Sequence, residues 1–449
     1  MRFPLLASVA SVALLSGAAG AADLKFAPGE GDFNWDSYEA LKSVDLSGEQ
    51  ITVFGPWLGP DQELVESVLD YFREATGADV RYSGSDSFEQ QIVVDVEGGS
   101  PPNIAIFPQP GLAADLAKNG HLTPLGDEAA AWMAENYAAG QSWVDLGSYP
   151  GADGESHFYA FPYKADVKSL VWYVPENFED AGYEIPETME DLKALTEQIV
   201  ADGETPWCIG LGSGGATGWP ATDWVEDMML RTQTPEVYDQ WTTNELPFND
   251  EKVVAAIEEF GWFARNNDFV AGGSDAVAAT DFRDSPKGLF SAPPQCYMHR
   301  MASFIPSFFP EGTMIPEDAD FFYFPSYAEK DLGNPVLGAG TLFGITKDST
   351  GAHELIKFLQ SEIAHEVWMA QTGFLTPLKT ANQEVFGDAT LKKMNQILLN
   401  ADVFRFDGSD LMPGGVGAGT FWTGMVDYSG GKDAQAVADE IQQSWDSLK

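Results

Sequence analysis

The sequence predicts an α/β protein of two domains, each a helix-covered, mostly parallel sheet, and three observations lead there. At 449 residues the chain is longer than one hydrophobic core usually supports. From residue 50 onward, short β-branched runs alternate with amphipathic helical runs, the order that builds parallel sheets. A second run of the same kind starts near residue 158.

The elements follow in order. Residues 1–22, "MRFPLLASVASVALLSGAAGAA", place Arg2 before an apolar run from Phe3 to Leu15 and end in small residues. This reads as a signal peptide cleaved near Ala21 or Ala22, delivering the mature chain to the periplasm. No later window reaches roughly 18 uninterrupted apolar residues, so no membrane span is expected. Residues 23–48 are polar and dotted with aromatics, and are expected as an arm lying on the first domain. "QITVFGPW" reads as a strand, and "DQELVESVLDYFREATG" as a helix with Leu64, Val68, Leu69 and Phe72 on one face and Gly77 as its stop. "ADVRYSGS", "SFEQQIVVDVEGG" and "PNIAIFPQPG" continue as strand, helix and strand. In such sheets ligands bind beyond the carboxyl ends of the strands, where the loops carrying Trp57 and Gln109 fall.

Further on, "FYAFPYKADVKSLVWYVPENF" reads as strands crossing between domains, "TMEDLKALTEQIVADG" as a capped helix and "TPWCIGLGSGG" as a strand. The stretch "GGATGWPATDWVEDMMLRT" holds a helix expected to start near Asp223 with Thr222 as its cap, leaving Trp219 on a Gly-Trp-Pro corner beside it. "NDEKVVAAIEEFGWFARNN" is a helix, while "GLFSAPPQC" and "DADFFYFPSY" are strands. "NPVLGAGTLFGITKDS" is an extended segment before two helices in "TGAHELIKFLQSEIAHEVWMAQTGF". The chain ends with a helix from near Trp422 and another in "DAQAVADEIQQSWDSLK".

Composition removes several function classes. With 24 basic and 69 acidic residues the formal charge is −45, a field that repels nucleic acid and disfavours anionic ligands. Two cysteines in an exported chain, Cys208 and Cys296, are expected to pair. Five histidines without ligand spacing give no metal site, and no cofactor is implied. There is no Gly-x-Ser-x-Gly elbow, no phosphate-binding loop with its lysine and no His-Glu-x-x-His motif.

Aromatic residues, by contrast, gather at element ends: Trp57, Trp172, Trp219, Trp224, Trp262, Tyr297 and Trp422. Indoles stack on the apolar C–H faces of sugar rings, while hydroxyls at the rim require polar partners. Such partners stand near several of these rings: Asp61 after Trp57, Lys164 and Asp166 before Trp172, Asp223 after Trp219. Trp262 and Trp368 sit inside helical patterns and are assigned to packing.

The runs "FREATGADVRY", "GGSPPNIAIFPQPG", "FPYKADVKSLVWYVPENF", "GWPATDWVEDMMLRT", "GAGTLFGITKDS" and "VWMAQTGFLTP" resemble the extracellular solute-binding proteins of sugar ABC importers, most narrowly their alpha-glucoside-binding group. The resemblance covers essentially the whole mature chain. It implies the two-lobed periplasmic binding protein fold with hinge crossovers, the first lobe spanning 23–162 plus 345–388 and the second 163–344 plus 389–449. It also implies a monomer that captures a sugar such as trehalose, sucrose or maltose in the cleft, hands it to membrane permease subunits, and catalyses nothing. Carried over by position, the ligand contacts would be Trp57, Asp61, Phe107 and Gln109 from one lobe and Lys164 and Asp166 from the crossover. The other lobe would supply Trp219, Asp223, Gln295 beside Pro294, and Trp422. The competing readings are an exported glycoside hydrolase and a binder of a polyol phosphate or a polyamine.

Overall fold

The computed structural model describes residues 24–448 apart from 139, 388, 401 and 402, so the expected signal peptide lies outside the described residues. In chain order the strands that matter are β1 (Gln50–Gly55), β2 (Asp79–Gly84), β3 (Ile104–Phe107), β4 (Ala160–Val167), β5 (Leu170–Tyr173), β6 (Met298–Arg300), β7 (Asp320–Tyr323), β8 (Pro335–Ile345) and β9 (Val403–Phe406).

β1 pairs in parallel with both β2 and β3, as the alternating pattern predicts. The helix between β1 and β2, α1 (Pro60–Thr76), begins with proline in its first turn and two acids at its positive end, and Gly77 stops it in a left-handed conformation with φ 75°. Leu64, Val68, Leu69 and Phe72 are its buried face. Two further helices on this lobe reach the cleft, α2 (Phe88–Glu97) and α3 (Pro110–Lys118). The arm lies where expected: the Tyr71 hydroxyl donates to the Phe26 carbonyl, and the Asn34 N–H donates to Glu366.

β8 joins the two halves. All eleven of its residues are buried; its last four pair antiparallel with β3, and its first four pair in parallel with β9. Along its other edge it pairs antiparallel with β4. Gly338 and Gly340 permit this crowding, since a Cβ at Gly338 would come within 2.1 Å of the Phe404 ring and one at Gly340 within 2.7 Å of the Lys164 carbonyl.

The second lobe differs from the parallel pattern expected for it. β6, β5 and β7 form a three-stranded antiparallel sheet assembled from segments distant in sequence. The expected strand at 205–215 is an irregular segment that makes only single parallel bridges, from Trp207 to Val270 and Met298 and from Gly212 to Asp281, before a 3₁₀ turn at Gly214–Ala216. The expected strand in "GLFSAPPQC" is instead a 3₁₀ helix, Ser285–Phe290, followed by a cis Ala292–Pro293 bond, because two consecutive prolines cannot donate to a ladder. Cys208 and Cys296 are bonded to each other.

The helix α4 (Trp219–Thr232) starts four residues earlier than expected. Gly218 occupies its cap at φ 116°, Pro220 stands in its first turn, and the Thr222 hydroxyl donates back to the Trp219 carbonyl instead of capping. The last two helices are α5 (Trp422–Ser429) and α6 (Ala434–Asp446). Trp172, Trp224 and Tyr297 are buried in the cores, and Trp262 packs edge-on against Phe263 and Phe269. For these four the ring at an element end is packing.

Candidate functional site

The register of β4 against β8 builds the floor of the site. Lys164 faces Thr341 and Asp166 faces Ala339, and because side chains alternate along a strand these four share one face. That face opens on a cavity between the lobes, lined by residues of both.

From the first lobe come Trp57, Asp61 and Gln109. Trp57 follows β1; its N–H donates to the Tyr82 hydroxyl at 2.9 Å, and its ring meets the edge of Trp368 at 5.0 Å. Asp61 stands in the first turn of α1, and burial pushes its carboxyl up to about 6 with Lys164 pulling the other way. Gln109 is the cap residue of α3, is almost fully buried, and has no hydrogen-bond partner for its Oε1.

From the second lobe come Trp219, Asp223 and Trp422. Trp219 opens α4 half-buried, edge-on to Phe282 at 5.0 Å, with the Lys168 ammonium 5.4 Å from its ring centre. Asp223 is one turn further on the same helix face. Trp422 opens α5, and its indole N–H is buried without a partner. Thr341 Oγ1 is likewise without a hydrogen bond, as is Asp223 Oδ2, whose nearest cation is the Arg300 guanidinium at 3.8 Å, so several polar atoms around one cavity have hydrogen-bonding capacity to spare.

The cations of the wall are already engaged. Lys164 pairs with Asp166 at 2.5 Å, Lys168 with Asp223 at 2.7 Å and with Asp407, and Arg283 with Asp86 at 2.6 Å. Burial works against the Lys168 ammonium, but Asp223 and Asp407 together outweigh it and hold it well above the usual lysine value. Asp223, Glu226 and Asp407 bring carboxylate oxygens within 4.8 Å of one another, and the Lys168 ammonium supplies the cation to that group.

The glycines before Trp219 bring the two lobes into contact. A Cβ on Gly214 would lie 2.5 Å from Asp86 Cβ, and one on Gly215 would lie 2.6 Å from Ser87 Oγ, so both press against the start of α2 in the opposite lobe. The Ala216 N–H donates to the Asp86 carbonyl at 3.1 Å, beside the Asp86–Arg283 ion pair. This is a contact between lobes that shuts one side of the cleft.

Eight of the ten expected ligand contacts therefore line one cavity. Phe107 does not: it points into the first lobe against Phe88 at 5.7 Å, and its loop neighbours Pro108 and Gln109 reach the cleft instead. Gln295 is exposed beside the disulfide, its N–H donating to the Gly288 carbonyl and the Ser291 hydroxyl. Sequence reasoning missed Asp86, Glu89, Arg283, Asp407 and Asp410, which also line the cavity. Glu89 reads as an ordinary first-turn helix acid, and only the loop "DGSDLMPGG", rich in glycine and acid, hinted at Asp407 and Asp410.

Residues 55–366 match the family described as bacterial extracellular solute-binding protein. The alpha-glucosides-binding periplasmic protein AglE of Rhizobium meliloti (strain 1021) is 66% identical over 458 residues, covering 100% of both chains. The osmoprotective compounds-binding protein GgtB of Synechocystis sp. (strain ATCC 27184 / PCC 6803 / Kazusa) is 42% identical, covering 89% of this chain and 93% of its own. Among solved structures, the bacterial solute receptor AcbH superposes with a TM-score of 0.75 at 16% identity, over 90% of this chain and 100% of that one. Maltose-bound MalE3 of T. maritima does so at 0.67 and 14% identity, over 90% and 100%. At such identities these structures speak for the two-lobed fold alone. The chain belongs to the bacterial extracellular solute-binding proteins.

Proposed function

We propose that this protein captures a neutral alpha-glucoside of one or two rings, such as trehalose, sucrose or maltose, in the periplasm and presents it to the permease of an ABC importer. The observation that carries the reading is the cavity itself. Indoles from both lobes, Trp57, Trp219 and Trp422, border one space that also receives Gln109 Oε1, Asp223 Oδ2, Thr341 Oγ1 and Trp422 Nε1, none of them hydrogen-bonded. Apolar faces and unpaired donors and acceptors together suit a hydroxylated ring. No wall cation is left unpaired among the described residues, which speaks against a polyol phosphate. AglE, named for alpha-glucosides, supports the substrate class through 66% identity over the whole chain.

In this reading no bond is made or broken. Sugar bridging the lobes favours the closed form, and the permease recognises that form. The lobes divide as 23–162 with 345–388 and 163–344 with 389–449, except that the helix Ala389–Asn400 goes with the crossover strands β4 and β8 on which it packs. The mature chain acts as a monomer, freed of residues 1–22 by cleavage and without nucleic-acid partners.

Calorimetric titration of the mature protein with trehalose, sucrose, maltose, glycerol phosphate and putrescine tests the reading. Saturable one-to-one binding of at least one disaccharide is expected. Binding of glycerol phosphate or putrescine with no heat from any of the three sugars at millimolar concentration would refute it.

A further inference from the structure

The charge balance of the cavity wall is uneven in a way the capture of a neutral sugar does not require. Its three cations, Lys164, Lys168 and Arg283, are each within an ion pair. Two wall carboxyls from opposite sides of the cleft, Glu89 on α2 and Asp410 just beyond β9, are more than nine-tenths buried and make no ion pair among the described residues. They are close enough that Glu89 acts on the ionisation of Asp410. Gln109 stands on the same wall, its buried Oε1 without a hydrogen-bond partner.

The groups around this pair do not neutralise it. Asp86 is held by Arg283, Asp223 and Asp407 by Lys168, and Asp223 also by Arg300 at 3.8 Å, so none of these cations is free for Glu89 or Asp410. Burial pushes the Glu89 carboxyl up to about 7, and burial together with Asp407 raises Asp410 well above the usual range. Without a cation beside them both carboxyls hold their protons near neutral pH. A sugar hydroxyl leaves them so; an ammonium group donates three hydrogen bonds to the two carboxyls and the Gln109 amide oxygen and, by pairing with the carboxyls, draws their protons off.

Resting on the sugar reading above, we propose that the end of the cleft formed by Glu89, Gln109 and Asp410 selects glycosides carrying one ammonium substituent, which bind more tightly than their neutral parents. Glycosides bearing a carboxylate at the same end are rejected, because no wall cation is free to receive it.

The test uses the mature protein at pH 6.5 and calorimetric titration. Trehalose, sucrose and maltose are measured first. The sugar that binds best is then compared with its monoamino derivatives, one for each hydroxyl position, and with its uronic acid. At least one amino derivative is expected to bind about tenfold more tightly than the parent, and the uronic acid at least about tenfold more weakly. The amine advantage should vanish at pH 9.5, where the ammonium loses its proton. Glu89→Gln and Asp410→Asn should each reduce it to below about threefold, with the circular dichroism spectrum and cooperative thermal unfolding of the same variants reporting that the fold is intact. A parent sugar that binds while every amino derivative binds no better, or an advantage unchanged in both variants, overturns this inference alone. Failure of all three neutral sugars overturns the function proposed above instead.

Discussion

Trp57 and Trp219 are the same side chain on the two walls of one cavity, used in opposite ways. Trp57 is 8% exposed, lies edge-on to Trp368 and tilted against Phe343, and belongs to a buried core cluster while also lining the cleft. Trp219 is half-buried at the first position of a helix and lines the cleft together with Phe282 and Phe304, whose rings it touches. The first wall is thus an extension of a packed core, and the second is a platform held out by a glycine cap. An aromatic at an element end is a poor indicator of binding until the neighbours behind the ring are known.

The comparison can be broken by crossing stability with affinity. Trp57→Ala should cost about 3–5 kcal/mol of stability, as for other large core truncations, and lower the ligand-free melting temperature accordingly. Trp219→Ala should leave the ligand-free melting temperature nearly unchanged and instead cost about 1–3 kcal/mol of sugar binding in a calorimetric titration. Equal stability losses in the two variants would erase the distinction.

Glu89 sharpens the same contrast, because a buried acid on the first wall carries a cost that a platform residue does not. Its folded pKa of about 7 is raised above the unfolded value, so stability is intact below the unfolded pKa and is lost as pH rises toward 7. Glu89→Gln should remove on the order of 2 kcal/mol of that loss between pH 4.5 and 7.5, read from denaturant unfolding of the ligand-free protein.

The smallest effect belongs to the contact between the walls. The Asp86–Arg283 pair is partly exposed, so Arg283→Ala should weaken sugar binding by no more than about 1 kcal/mol, chiefly through faster release, and half-molar salt should reduce the difference.

Much of the first lobe was legible because local pattern and tertiary role coincide there. Leu64, Val68, Leu69 and Phe72 sit at helical spacing and form the buried face of α1, and β1, β2 and β3 pair as the alternation requires. The second lobe hid its sheet, since β5, β6 and β7 are short and come from residues 170, 298 and 320, a pairing no local period encodes. The same reason divides the site. Trp219, Asp223 and Trp422 announce themselves at glycine breaks and helix starts. Glu89, Asp407 and Asp410 join the cavity only through packing between distant segments, and each looks in sequence like one more acid in a chain with 69 of them. Gly214 and Gly215 were visible as a glycine run, but their purpose depends on Asp86 and Ser87 in the opposite lobe.

The most direct test is a crystal structure of the mature protein grown with whichever of trehalose, sucrose and maltose binds best. The account predicts one sugar enclosed between Trp219 and Trp422, with hydroxyls hydrogen-bonded to Gln109 Oε1 and Asp223 Oδ2. A sugar bound outside that cavity, or one inside it that leaves both indoles and both oxygens untouched, would contradict it.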